Sequence, residues 1–145
     1  MFSAKTKIKI DINPLKLAGR MRRESERALF VAASILRKSM RRLITTTKKK
    51  NSLPGKPPKS HVGRSEFGLR SIVFKVDKPT LSMKVGPIIE SNKDLPGKLE
   101  KGGLTAFKLV DGKVVRYRLA PRPFSSVALE NFIGSYPELW RNVIK

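Results

Sequence analysis

Residues 5–12, KTKIKIDI, alternate between polar and apolar. Ile8, Ile10 and Ile12 fall on one side and Lys7, Lys9 and Asp11 on the other, the period of two that predicts a half-buried strand. Asn13-Pro14 then reads as a helix N-cap followed by a proline in the first turn, where its missing N–H costs nothing. From Pro14 to about Leu43 the period becomes 3.6. Leu15, Ala18, Ser25, Leu29, Ala32, Ile35, Leu36, Met40 and Leu43 form one apolar or small stripe, with the arginines mostly off it. Thirty residues at 1.5 Å each predict a helix of about 45 Å.

Thr45-Thr46-Thr47 should end that helix, because β-branched side chains lose rotamer freedom in it. Residues 48–64, KKKNSLPGKPPKSHVGR, predict an extended basic loop, since Pro54, Pro57 and Pro58 bar both helix and central strand. Ile72, Phe74 and Val76 alternate in one run and Leu81, Met83 and Val85 in the next, with DKPT as a turn between them. This predicts an antiparallel hairpin. Residues 87–103 read as irregular. TAFKLV-DG-KVVRYRL predicts a second hairpin, closed by a two-residue turn at Asp111-Gly112. Ser125 or Ser126 can cap a helix through Val127, Leu129, Phe132 and Ile133, which Gly134 and Pro137 stop. Pro137 suits the first turn of a last short helix. The tetrapeptide LPGK occurs at 53–56 and 95–98 without a longer match around it, and reads as chance or a shared turn rather than a repeat.

The order of elements predicts one α+β domain over residues 1–145. A long N-terminal helix and a C-terminal helix pack on an antiparallel sheet of hairpins, and 48–64 form a long basic Pro/Gly loop.

Charge sharpens this picture. The 145 residues hold 32 Lys and Arg against 11 Asp and Glu, a net of +21. Residues 1–64 carry 18 basic and 3 acidic side chains, and so most of the excess. A chain this basic attracts polyanions: nucleic acid, an anionic membrane or an acidic protein surface. Lys48, Lys49, Lys50, Lys56, Lys59 and Arg64 lie within 17 residues without an acid, just beyond Arg41 and Arg42 at the helix end. These eight are the candidate contacts to DNA or to an acidic partner. Aromatic residues are scarce near them, so contact to nucleic acid would be to phosphates and independent of sequence. No apolar run approaches the roughly 20 residues of a membrane span, and charges fill the first ten residues where a signal peptide needs an apolar core. The reading is a soluble protein made in the cytoplasm, with no membrane partner.

Catalytic chemistry is hard to assemble from these residues. There is no cysteine, and the one histidine, His61, sits in the Pro-rich loop. Nucleophilic catalysis needs a base beside the nucleophile, and metal sites need clustered ligands, whereas the carboxylates here are scattered singly. Asp77, Glu90 and Lys84 suggest a metal nuclease only loosely. The Gly55-Lys56 pair lacks the flanking residues of a phosphate loop. The expectation is a protein that is not an enzyme and uses no cofactor or metal.

The segments SLPGKPPKSHVGR, GLRSIVFKV, LSMKVGP, LPGKLEKGG and LAPRPFSSVALE, in that order, resemble the neck or tail-completion proteins of long-tailed phages, the small head–tail joining or minor tail proteins. The matching positions are Gly68, Leu69, Arg70, Ser71 and Ile72; Val85, Gly86 and Pro87; Leu99, Glu100 and Gly102; and Arg122, Pro123 and Phe124. Lys101 departs from the pattern, which usually has an aromatic after the glutamate. The resemblance implies a structural virion protein that forms a ring, sixfold by analogy, between head connector and tail. Its partners would be copies of itself, a head connector or adaptor, and the tail tube or tail terminator, with genomic DNA passing the lumen. It would assemble in the host cytoplasm and reside in the virion neck. The matched residues are implied to be scaffold: Gly86 and Gly102 at turns closed to other residues, and Phe124 as a plug where the last helix starts. The alternative, from composition, is a sequence-independent nucleic-acid-binding protein of ribosomal or nucleoid type.

Overall fold

The computed structural model describes residues 13–47, 52–61, 69–88, 95–108 and 111–141. The predicted strand at 5–12 lies outside them, as do Lys48, Lys49, Lys50, Arg64 and Gly68. The fold is α+β. Helix α1 runs from Pro14 to Leu43, with the bounds the sequence predicts. The Asn13 side chain accepts hydrogen bonds from the N–H groups of Leu15 and Lys16, both at 3.2 Å. At the other end Ile44 turns extended and is fully buried, its N–H bonded to the Met40 carbonyl at 3.2 Å.

Strand β1 (Thr45–Thr47) pairs in parallel with β2 (Lys59–His61), Thr45 opposite Lys59 and Thr47 opposite His61. Of the basic Pro/Gly stretch at 48–64, residues 52–61 are described. Its return leg is a strand laid beside the helix exit. Leu53 to Lys56 make a turn closed by the Lys56 N–H on the Leu53 carbonyl at 3.2 Å, with Gly55 at φ +74°, as a proline followed by a left-handed glycine requires. The Gly55 N–H also donates to the Pro121 carbonyl at 2.8 Å, which ties this turn to the far end of the chain.

Strands β3 (Ile72–Asp77) and β4 (Ser82–Pro87) form the first predicted hairpin. Ile72 is buried, Phe74, Val76, Met83 and Val85 are half-buried, and Val73, Lys75 and Lys84 face out. Leu81 does not point inward as its alternation suggests. It sits in the turn at φ +48° and is exposed, because turn geometry overrides the strand period once pairing stops. Gly86, expected at a turn, lies inside β4 opposite Val73, with open space where a Cβ would go.

The stretch read as irregular holds helix α2 (Leu95–Lys101). Pro96 is tolerated because a first-turn residue needs no N–H partner, and Leu99, four residues after Leu95, is buried. Strands β5 (Gly103–Lys108) and β6 (Val114–Leu119) make the second hairpin. Their register sets Lys108 opposite Val114. A two-residue turn at Asp111-Gly112 would instead set Val110 opposite Lys113. Gly112 has φ +84°, the chemistry of a turn that ends in a left-handed glycine. Helices α3 (Ser125–Ile133) and α4 (Tyr136–Trp140, Pro137 in its first turn) complete the chain.

The predicted single sheet is absent among the described residues. The six strands form three separate two-stranded sheets. The core instead centres on the C-terminal half of α1, with β3–β4 and α3–α4 packed on it. Ala32, Leu36, Met40 and Ile44 meet Ile72, Leu99, Leu119, Phe124, Ala128 and Phe132. Ala32 and Ala128 are both fully buried, and such small side chains let two helices approach closely. Phe132, Tyr136 and Trp140 continue the core as edge-on aromatic pairs, with centroids 5.5 and 5.9 Å apart. Arg37, off the apolar stripe, reaches this core: its Nε donates to the Ile72 carbonyl at 2.8 Å.

Candidate interaction surfaces

The predicted contact residues fall into two groups. Arg41 and Arg42 are exposed on the last turn of α1, and Lys59 is exposed on β2 beside Thr45. Parallel pairing of β1 with β2 brings these three cations to one end of the molecule. Lys56 is exposed on the adjoining turn. None of the four has an ion-pair partner among the described residues, whereas Arg22, Arg27, Lys78 and Lys113 do. Lys48, Lys49, Lys50 and Arg64 lie outside the described residues.

The described positions matched by the resemblance fall in two places, the junction of α2 with α3 and the start of β3 with the end of β4. Leu99 and Phe124 are buried. The Leu99 carbonyl accepts from the Arg122 N–H at 2.6 Å, and Pro123 is half-buried between Arg122 and Phe124. Gly102 has φ +76°, and a Cβ there would stand 3.0 Å from the Leu119 carbonyl oxygen and 3.1 Å from the Pro121 ring. Leu69, Arg70 and Ser71 are half-buried ahead of Ile72, and Pro87 pairs with Ile72 across the β3–β4 hairpin. The Ser71 carbonyl accepts from the Ile88 N–H at 3.0 Å.

Glu100 does work at this junction that its place in the sequence does not reveal. Helix α3 starts after Phe124, which has no capping side chain. Glu100, 24 residues earlier, supplies the cap. Its Oε2 accepts from the N–H groups of Phe124 and Ser125 at 3.1 and 3.2 Å, and its Oε1 from the N–H of Ser126 at 2.8 Å. The expected serine cap is thus replaced by a carboxylate from α2, which also meets the positive end of the helix dipole. Burial acts to raise this carboxyl. Hydrogen bonds from the Ser126 side chain and from the N–H groups of Ser126, Phe124 and Ser125 outweigh it and hold the pKa at about 2. The folded value is depressed, so the stabilisation is complete above about pH 4.5 and is lost as pH falls from there toward 2. Glu100→Gln should cost about 1–2 kcal/mol at pH 7, less than full linkage because the carboxylate is partly open to water. Urea midpoints at pH 7, 4.5 and 3 check this: the wild type should lose more stability than the variant over the acid range.

Beyond the core lie apolar side chains open to solvent. Residues 13–23 of α1 are exposed all round, and Leu15 is 83% exposed although it continues the buried stripe. The stripe is buried only from Ala28 onward, and Ile35, placed on it by period, also faces out. The β5–β6 hairpin likewise projects, with Leu104 74% exposed and Val114, Val115 and Tyr117 exposed with it. On α3, Leu129 and Ile133 face outward. Among the described residues sixteen large apolar side chains are exposed, against nine large ones and four alanines in the buried core. A two-stranded hairpin alone in water is marginal, and apolar exposure on this scale marks surfaces that associate.

Among the described residues no three His, Asp or Glu side chains cluster to hold a metal ion. Of the loose nuclease trio, Asp77 accepts from the Thr80 hydroxyl at 2.7 Å, Lys84 stands opposite Lys75 on the outer face of the hairpin, and Glu90 lies outside the described residues. No helix among them is long and apolar enough to cross a membrane. No family model, no curated protein and no solved structure matches this chain.

Proposed function

We propose that this chain is a structural, non-catalytic subunit of a tailed-phage neck. It works as a tail-completion protein, copies of which form a ring that joins head connector to tail and lets DNA pass. The observation that carries the reading is the amount of apolar surface left outside the core, on the N-terminal half of α1, on the β5–β6 hairpin and on α3. These patches lie on different elements, which suits the head-to-tail contacts of a cyclic assembly, where one patch of each copy meets a different patch of the next. The order of sequence motifs supports the phage setting, and the connector, tail tube and terminator are the partners that setting implies. A cation-rich helix end fits an acidic neighbouring ring or the passing genome.

Mass photometry and negative-stain images of the purified chain test this. Closed rings with a lumen are expected, and Leu15→Glu with Leu104→Glu should shift the population to monomer by at least about tenfold. A wild-type chain that stays monomeric at high concentration, together with particles that join heads to tails without it, would sink the reading. The rival, a sequence-independent nucleic-acid-binding protein, draws on the exposed Arg41, Arg42 and Lys59. It predicts a stable monomer with uniform affinity for duplexes.

A further inference from the structure

We infer that the outer ridge of α1 is a binding surface for the phosphate backbone of duplex DNA. Lys16, Arg20, Arg23, Arg27, Lys38 and Arg41 recur at helical spacing, and at 3.6 residues per turn they fall within a sector of about 60°. All six are exposed. The buried residues Leu29, Ala32, Leu36 and Met40 occupy the opposite side of the helix. The core therefore turns the cations to solvent, along about 37 Å of helix. That length is close to one turn of duplex, over which phosphates recur about every 1.7 Å of axis.

The local acids do not cancel this line of charge. Arg27 is paired with Glu24 at 2.7 Å, and the other five have no ion-pair partner among the described residues. Glu26, on the flank, is held by Arg22 at 3.7 Å and Lys78 at 3.9 Å. The first turn holds no acid.

The composition of the ridge selects among polyanions. A single strand would be held by bases stacked on aromatic rings. Phe30 is the one aromatic that α1 carries, too few for a run of stacked bases. A helix that binds a membrane sinks its apolar face between flanking cations; over the C-terminal half of α1 that face is occupied by the core, and over the N-terminal half the neck reading gives it to a neighbouring copy. There remain two clusters of cations on one side of the helix, Lys16 to Arg27 and Lys38 to Arg41, separated by Phe30, Val31 and Ser34 and suited to a stiff, regularly charged rod whatever its sequence. This deepens the neck reading by naming the lumen DNA as the ridge's partner and rests on that reading for its biological setting. The affinity itself does not require a ring.

The test uses the full chain and a fluorescent mixed-sequence duplex, with anisotropy read from about 50 to 200 mM salt. Arg20, Arg23, Lys38 and Arg41 are changed together to Gln. A control changes Lys75, Lys84, Arg116 and Arg118 to Gln, removing the same charge from exposed strand positions. The ridge variant should bind at least about 100-fold more weakly at low salt, with a salt slope smaller by about 3–4, as four lost phosphate contacts require. The control should change by less than about fivefold, and both variants should keep wild-type helical circular dichroism. Equal losses in the two variants would assign binding to net charge and overturn the inference. So would a wild type that ignores the duplex at low salt, or one that binds anionic phosphatidylserine vesicles through the ridge while DNA binding survives its loss. Mass photometry of the same samples keeps the readings apart: rings without DNA affinity remove this inference alone, and DNA affinity without rings removes the ring alone.

Discussion

Replacing Phe124 with alanine should lower the unfolding free energy by about 3–5 kcal/mol. Phe124 is 1% exposed and is the largest fully buried side chain of the described core. It stands where α2, the start of α3 and α1 contribute to one buried cluster. Alanine loses the transfer of the ring from water and leaves a cavity that short elements cannot easily close. Domains of this size have only about 5–15 kcal/mol in total, so the variant should show a measurable unfolded fraction and a much lower urea midpoint. Phe124→Leu, which keeps most of the volume, should retain the larger part of the stability. A loss below about 1 kcal/mol for the alanine variant would mean that Phe124 does not plug the core.

Gly102→Ala should cost about 2–4 kcal/mol, from two separate sources. The left-handed backbone at φ +76° carries a penalty of about 1–2 kcal/mol for any residue with a Cβ. That Cβ would also stand 3.0 Å from the Leu119 carbonyl oxygen, a backbone atom that moves only if the end of β6 moves with it. Gly86→Ala is the internal control, because its Cβ would enter open space and its backbone is ordinary strand. Thermal or urea unfolding should place the two variants at least about 1.5 kcal/mol apart. Equal effects would show that residue 102 is not a closed turn.

Local chemistry made some elements readable from the sequence and left others hidden. Both ends of α1 were legible because Asn13-Pro14 and the run from Thr45 to Thr47 act on their immediate neighbours. The β3–β4 hairpin was legible because its two faces meet different surroundings, and α4 because Pro137 fits only a first turn. The two LPGK segments show where local reading stops. At 53–56 the tetrapeptide is a turn with a left-handed glycine; at 95–98 it opens α2. The four residues are identical, and their C-terminal neighbours decide between the two conformations: Leu99 has a core to enter, whereas Lys56 is succeeded by two prolines. Helix period, likewise, reports which side of α1 is apolar but not how far a partner extends along it, so Leu15 and Ile35 share the apolar period and yet lie outside. Of the candidate contacts, the exposure of Arg41, Arg42, Lys56 and Lys59 followed from their charge. Their convergence did not, because it depends on the parallel pairing of β1 with β2 across the prolines. Glu100 as the cap of α3 was equally hidden, since the two are joined only through the fold.

The three sheets have a further consequence. Each has two strands, so among the described residues every strand is an edge. Such edges are templates on which copies of a chain can zip together in the wrong register. Lys75 directly faces Lys84 on the first hairpin, and Arg116 and Arg118 stand exposed on β6. Like charges set opposite each other weaken a hairpin, yet they also make it a poor template for a second copy. Cations on open strand edges favour docking by one fitted surface over accretion along a ladder. The same excess of cations that makes this chain so basic therefore also guards its open strand edges against ladder-wise pairing of copies.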